Sequence, residues 1–195
     1  MNDMPINLDE ESIPELAAII PAFNEASSIV SIVREVNRRA IAIVIDDGSS
    51  DNTAELAREA GAYVIRHTHN CGYDAALETG IRIAFELGCT FAVTMDADGQ
   101  HDPTLLDQFR TELIRGVDVV VGQRDSQQRW SEVLFCVVGK AAWGIKDPLC
   151  GMKGYRLSSI KNLQEINTYN SIGSELAIRL VSMGAEIAQP AVKTK

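Results

Sequence analysis

At 195 residues the chain has room for one well-packed domain and too little length for two substantial ones. Its 46% hydrophobic and 23% charged residues are those of an ordinary folded protein and exclude a disordered or collagen-like chain. A formal net charge of −9 argues against a nucleic-acid partner, which requires a concentrated Lys/Arg surface. The cysteines, Cys71, Cys89, Cys136 and Cys150, are too scattered for a secreted disulfide framework and fit free thiols in a reducing, cytoplasmic setting.

Residues 1–15 are acidic, lack the basic-then-apolar order of a signal peptide, and are expected to fray. From Leu16 onward, short β-type runs alternate with helix-period segments. This predicts a single α/β domain whose mostly parallel sheet is flanked by helices. The strands are expected at Leu16–Ile20, Ile41–Asp46, Tyr63–Arg66, Phe91–Met95 and Val117–Val121, each nearly continuous in apolar character as strands buried on both faces are. Ile29, Ile32, Val33 and Val36 repeat at helical spacing, and Leu106, Phe109 and Leu113 do so after Pro103. Gly61, Gly88 and Gly116 fit left-handed helix ends.

Beyond Arg124 the alternation stops, and the polar run 125–129 leads into an amphipathic segment from Trp130 to Ile145. There Trp130, Leu134, Phe135, Val138 and Trp143 suit either an interfacial helix or the core. A last strand is expected over 187–192. No run approaches the roughly 20 apolar residues of a membrane-spanning helix.

The polar residues gather at the carboxyl ends of the predicted strands, where ligands bind in open α/β sheets. Pro21-Ala22-Phe23-Asn24-Glu25 follows the first strand; its aromatic ring suits stacking on a base, while Asn24 as a helix cap is the plainer alternative. The second strand runs into Asp46-Asp47, two like charges that need a donor or ligand to answer them, and then into turn residues from which Asp51 or Asn52 suits the next helix cap. The fourth ends in Asp96-Ala97-Asp98-Gly99-Gln100-His101. Two carboxylates one residue apart at a strand end suit a divalent cation bridging a diphosphate; a solvated acidic turn is the bland alternative. His101 is either a further ligand or a partner of Asp102. Arg124 follows the fifth strand and suits bidentate contact with phosphate oxygens, or else a surface ion pair.

Six motifs in order, P-A-F-N-E, I-D-D-G-S-S-D-N-T, H-N-C-G-Y-D-A-A-L-E-T-G, M-D-A-D-G-Q-H-D-P, G-Q-R and D-P-L-C-G-M-K-G-Y-R, resemble family 2 glycosyltransferases of the GT-A fold, particularly the dolichol- and polyprenyl-phosphate sugar synthases. The resemblance covers roughly residues 16–188. It implies a nucleotide-sugar-binding half over 16–124 and an acceptor-facing half over 125–195. It implies that Pro21, Phe23 and Glu25 frame the nucleoside, with Phe23 in place of the family's usual tyrosine, and that Asp47 hydrogen-bonds the base. Asp96, Asp98 and Gln100 then hold Mg²⁺ or Mn²⁺, and Asp96 and Arg124 meet the diphosphate. Asp147, opening D-P-L-C-G-M-K-G-Y-R, is the implied general base, with Glu175 the runner-up or a capping residue. An acceptor phosphate, already ionised, would make a base unnecessary, and Asp147 would then position groups instead.

The resemblance thus implies an inverting transferase acting from a nucleotide-diphosphate sugar onto a polyprenyl phosphate or a glycan, either free in the cytoplasm or held at the cytoplasmic face of the membrane by its acceptor. A sugar-nucleotide nucleotidyltransferase would show a Gly-rich, Arg-containing loop after the first strand, which residues 21–28 do not provide. An inactive nucleotide-sugar-binding relative is the remaining alternative.

Overall fold

In the computed structural model, which describes residues 15–99, 101–124, 136, 139–161, 163 and 172–192, the apolar runs form a mixed sheet. Strands β1 (Leu16–Ala22), β2 (Ile41–Asp46), β3 (Tyr63–Arg66) and β4 (Phe91–Thr94) pair in parallel in the order β3-β2-β1-β4. The register sets Ala22 beside Asp46 and Ile19 beside Thr94. Chain order reverses across β1 and β4, the kind of place where open α/β sheets bind ligands.

The parallel series does not continue directly. β7 (Lys153–Arg156) inserts antiparallel between β4 and β5 (Val119–Val121), so Lys153 lies opposite both Thr94 and Val121. Because β7 runs the other way, its start, not its end, reaches the ligand edge. The segment expected as one last strand is split into β8 (Ile187–Ala188), which extends the main sheet beside β5, and β9 (Ala191–Val192), which pairs with β6 (Gln123–Arg124). Pro190 stands at the break; it has no N–H for a ladder, and its carbonyl instead accepts the Gln123 N–H at 2.8 Å.

Helices α1 (Ile29–Val36), α2 (Thr53–Glu59) and α4 (Leu105–Ile114) cover one face, and α3 (Tyr73–Glu86), α5 (Leu157–Ile160) and α6 (Ile172–Ser182) the other. The stripes Ile29, Ile32, Val33, Val36 and Leu106, Phe109, Leu113 are all buried, as their spacing predicts. β1 supplies Ala18 and Ile20 to the first layer and Ala17 and Ile19 to the second, so it is apolar throughout because neither face meets water. Each of its isoleucines, 0% exposed, contributes on the order of 2 kcal/mol of burial. Gly61, Gly88 and Gly116 have positive φ, as read from sequence.

Of the expected interfacial segment, Trp130, Leu134, Phe135 and Val138 lie outside the described residues. Residues 139–143 are helical, and Trp143 packs against the α3–α6 core. Among the described residues no helix is long and apolar enough to cross a membrane.

Candidate active site

The ends of β1, β2, β4 and β5 and the start of β7 meet at one sheet edge, which carries two adjoining cavities. The smaller, of about 150 Å³, is lined by Pro21, Phe23, Asp47, Asn70, Gly72 and Tyr73 among others. Phe23 is 48% exposed and offers a free ring face. The loop bearing it is pinned: the Asn24 N–H donates to Ser49 Oγ at 2.9 Å, and Asn24 Oδ1 accepts the Ser50 N–H at 2.9 Å. Asn24 therefore ties two loops together instead of capping α1, and Ser28 takes the N-cap position. Asn52 occupies the N-cap position of α2, while Asp51 accepts the N–H groups of Thr53 at 3.0 Å and Ala26 at 3.2 Å. Glu25 lines neither cavity; its carboxylate meets the Ser28 hydroxyl at 2.9 Å.

The two adjacent aspartates are each answered by protein donors. Asp46, fully buried, accepts the Ser49 N–H at 3.1 Å and pairs with Arg66 Nε at 3.0 Å. Asp47 accepts the N–H groups of Cys71 and Gly72, each at 2.8 Å, and meets His67 Nδ1 at 2.7 Å. Burial works to raise the Asp47 pKa, but the Cys71 N–H, the His67 ring and the Gly72 N–H outweigh it and hold the carboxylate below its usual value. Asp47 thus faces the smaller cavity ionised, and its grip on residues 71–72 sets the start of α3.

Tyr73, the first residue of α3, lines both cavities. Its hydroxyl donates to Asp96 Oδ1 at 3.0 Å. The larger cavity, of about 340 Å³, holds Asp74, Asp96, His101, Arg124 and Lys153 in its wall. Gly151 leaves room for Asp96: a Cβ there would stand 2.4 Å from Asp96 Oδ2 and make the carboxylate swing. His101 is 5% exposed, and its Nδ1 has no hydrogen-bond partner among the described residues while lying 3.5 Å from Asp96 Oδ2. Asp98, two residues beyond Asp96, is exposed, and Gln100 lies outside the described residues. A carboxylate oxygen beside an orphaned buried imidazole nitrogen, with a second carboxylate two residues on, fits a divalent cation.

Arg124 faces the larger cavity and is held from behind. Its Nε and Nη2 donate to Asp147 Oδ2 and Oδ1 at 2.8 and 2.9 Å, and its backbone N–H to Oδ2 at 3.2 Å. Asp147, 1% exposed, lines neither cavity. Both oxygens of the expected general base are thus engaged by the Arg124 guanidinium, the arrangement of a residue that positions its neighbour. Glu175 lies in the first turn of α6 with its Oε1 3.5 Å from Arg179 Nη1. The same turn presents Gly173 and Ser174, not Glu175, to the cavity.

Sequence reasoning missed Lys153, Tyr73 and Asp74. Lys153 is 2% exposed and donates from Nζ to the Cys150 carbonyl; burial lowers its pKa to about 8. Asp74 Oδ1 accepts the Gly173 N–H at 3.0 Å, joining the starts of α3 and α6 across the cavity. The signal for Lys153 was a lysine inside a strand-like run. Tyr73 and Asp74 lay inside the H-N-C-G-Y-D-A-A-L-E-T-G motif, which assigned neither a role.

An α/β sheet whose switch point carries two adjoining cavities, the larger walled by acidic and basic side chains, is the arrangement of the GT-A fold. The sequence model of glycosyl transferase family 2 matches residues 17–130, more than half of the chain, and the chain belongs to that family. It is 34% identical over 126 residues to the UDP-N-acetylglucosamine–dolichyl-phosphate N-acetylglucosaminyltransferase of Methanococcus voltae, covering 54% of this chain and 50% of that protein. It is 28% identical over 196 residues to the dolichyl-phosphate hexose transferase of Haloferax volcanii, covering 93% and 83%. The chain thus spans about half the length of the first relative and most of the second. Relatives so named belong to the polyprenyl-phosphate sugar transferase branch that the sequence resembles. Glucosyl-3-phosphoglycerate synthase of Mycobacterium tuberculosis in complex with UDP has the same fold, with a TM-score of 0.76 at 20% identity, covering 93% of this chain and 71% of that one. The same enzyme in complex with Mn²⁺, UDP and phosphoglyceric acid matches with a TM-score of 0.75 at 19% identity, covering 92% and 69%.

Proposed function

We propose that the chain is an inverting, metal-dependent transferase that moves a sugar from a nucleotide-diphosphate sugar to a phosphate-bearing acceptor, with a polyprenyl phosphate ahead of a glycan. The observation that carries this reading is the pair of cavities joined at Tyr73. One is walled by Pro21, Phe23 and Asp47, and the other by Asp96, Arg124 and Lys153. The nucleoside stacks on Phe23 and is read by Asp47, and the diphosphate runs past Tyr73 into the larger cavity. Asp96 and Asp98, with His101 beside them, would hold Mg²⁺ or Mn²⁺, which when bound neutralises charge on the departing diphosphate. Arg124 gives a bidentate contact to the same oxygens, and Asp147 keeps its guanidinium aimed there. The acceptor attacks the anomeric carbon from the face opposite the leaving group, so the configuration inverts.

Among the described residues the carboxylates lining the larger cavity are Asp74, which accepts the Gly173 N–H, and Asp96, which belongs to the cation set. An acceptor phosphate, already ionised at neutral pH, needs no base, and the names of the Methanococcus and Haloferax relatives support such an acceptor. A polyprenyl-phosphate acceptor would put the chain at the cytoplasmic face of a membrane.

Calorimetric titration with UDP- and GDP-sugars, with and without Mn²⁺, tests the donor site in wild type and Asp98→Ala. Metal-dependent binding lost in the variant supports it and names the base; metal-independent binding sinks the assignment of Asp98. Transfer of label to polyprenyl phosphate but not to a glycan, with the product anomer inverted by NMR, supports the acceptor and the stereochemistry. Donor binding without transfer to either would make the chain the inactive relative.

A further inference from the structure

Two of the chain's three histidines fall in one short run with a cysteine, His67-Thr68-His69-Asn70-Cys71. The run leaves the end of β3 and crosses behind the smaller cavity to α3. Asp47, His67 and Cys71 each bring a ligand atom to one place: a carboxylate oxygen, a ring nitrogen and Sγ all lie within 4.8 Å of one another. The His69 ring adds a second imidazole, with Nε2 3.6 Å from Cys71 Sγ. Of the cysteines, Cys71 is the exposed one.

The cluster is held in shape without a ligand. A Cβ on Gly48 would stand 2.6 Å from the His69 carbonyl carbon and 2.8 Å from the Asn70 nitrogen, so the run is pressed against the end of β2. Asp47 holds the backbone N–H groups of Cys71 and Gly72. His67 Nε2 lies 3.1 Å from the Thr79 hydroxyl, an outer-shell partner of the sort that orients metal-bound imidazoles.

We propose that Asp47, His67 and Cys71 form a binding site for a borderline-soft divalent cation of the Zn²⁺ class, distinct from the hard-oxygen site of Asp96 and Asp98, with the His69 ring, which stands outside the trio beside Cys71 Sγ, turning in as the fourth ligand. One thiolate, two imidazoles and one carboxylate make a tetrahedral nitrogen–sulfur–oxygen set, which selects Zn²⁺ over Mg²⁺ or Mn²⁺. Binding releases the Cys71 thiol proton to solvent. The His67 ring moves its proton from Nδ1, where it is donated to Asp47, to Nε2, where the Thr79 hydroxyl oxygen accepts it, and bonds the ion through the freed Nδ1. The Asp47–His67 hydrogen bond is replaced by two bonds to the ion.

Asp47, Asn70 and Gly72 also wall the smaller cavity, so an ion here withdraws the carboxylate that reads the base. The site is therefore inhibitory, and Zn²⁺ and donor exclude each other. This consequence rests on the nucleoside reading of Asp47; the metal site itself does not.

Co²⁺ added to the metal-free full chain reports both. A near-ultraviolet thiolate-to-cobalt charge-transfer band with intense tetrahedral visible bands is expected at one equivalent, displaced by Zn²⁺, absent in Cys71→Ser and retained in Asp98→Asn. His69→Ala should weaken Zn²⁺ binding by about 100-fold or more, since even outer-shell changes cost about 10- to 100-fold. No thiolate band in wild type, or a band that survives Cys71→Ser, overturns the site. A band that forms as expected but is unmoved by saturating UDP or GDP upholds the site and overturns the nucleoside reading of Asp47.

Discussion

Arg124 and Asp147 meet in a two-pronged ion pair, Nε to Oδ2 at 2.8 Å and Nη2 to Oδ1 at 2.9 Å, with the aspartate buried and the arginine turned to the larger cavity. A buried pair of this geometry is costly to break from one side, because the remaining charge is left without its partner. Asp147→Ala should lose about 3–5 kcal/mol of stability in urea denaturation. Asp147→Asn, which keeps the shape, should lower kcat with KM for the donor little changed. Its effect should be non-additive with Arg124→Ala, because both remove one aimed guanidinium. The acidic limb of the pH–rate profile should persist in Asp147→Asn. Loss of that limb, with additive effects, would restore Asp147 as the base.

Asp96 leans on Gly151, where a Cβ would come within 2.4 Å of Oδ2. The colliding group is a carboxylate tip, so the core can stay intact while the carboxylate swings. Gly151→Ala should weaken Mn²⁺-dependent donor binding by about 10- to 100-fold, the scale at which misplaced ligand orientation is felt. Thermal unfolding without metal should shift little. A large loss of stability with unchanged metal affinity would contradict this placement.

The strand ends at β1, β2 and β4 were legible because each couples a buried apolar run to an abrupt polar turn, and the parallel alternation puts such turns on one edge. β7 was not legible. Lys153-Gly154-Tyr155-Arg156 reads like any short strand, and nothing in it states that it enters antiparallel beside β4. Asp96, Arg124, Phe23 and Asp47 reached the edge as expected. The use of each carboxylate did not follow from type and spacing, because the partners lie far off in sequence: Arg66 for Asp46, Arg124 for Asp147, Tyr73 for Asp96. Residue type said that charge was needed; only packing said what would answer it.

Asp47 has a folded pKa below its ordinary value, despite burial, because three donors converge on it. A depressed carboxylate contributes stability above its unfolded pKa of about 3.9 and loses it as pH falls through the folded value. Asp47→Asn should therefore be less stable than wild type at pH 7, with the gap closing toward pH 3. Denaturation midpoints measured across that range check the sign. A gap that is constant with pH would mean that the charge of Asp47 contributes nothing.

Lys153 gives the opposite dependence at the other end of the scale. Its ammonium is buried in the sheet, and desolvation brings its pKa from 10.5 to about 8. Between those values the unfolded chain holds a proton that the folded chain has released, so stability rises with pH through that window. Wild type should gain stability in urea between pH 8 and pH 10, by less than the roughly 3 kcal/mol that the full shift represents. Lys153→Met should flatten that slope. The same variant should lose transfer activity at pH 7, where the lysine is mostly charged and lines the cavity assigned to the diphosphate. A slope unchanged in Lys153→Met would place the titrating group elsewhere. A flattened slope with full activity would make Lys153 a burden of the fold with no part in the chemistry.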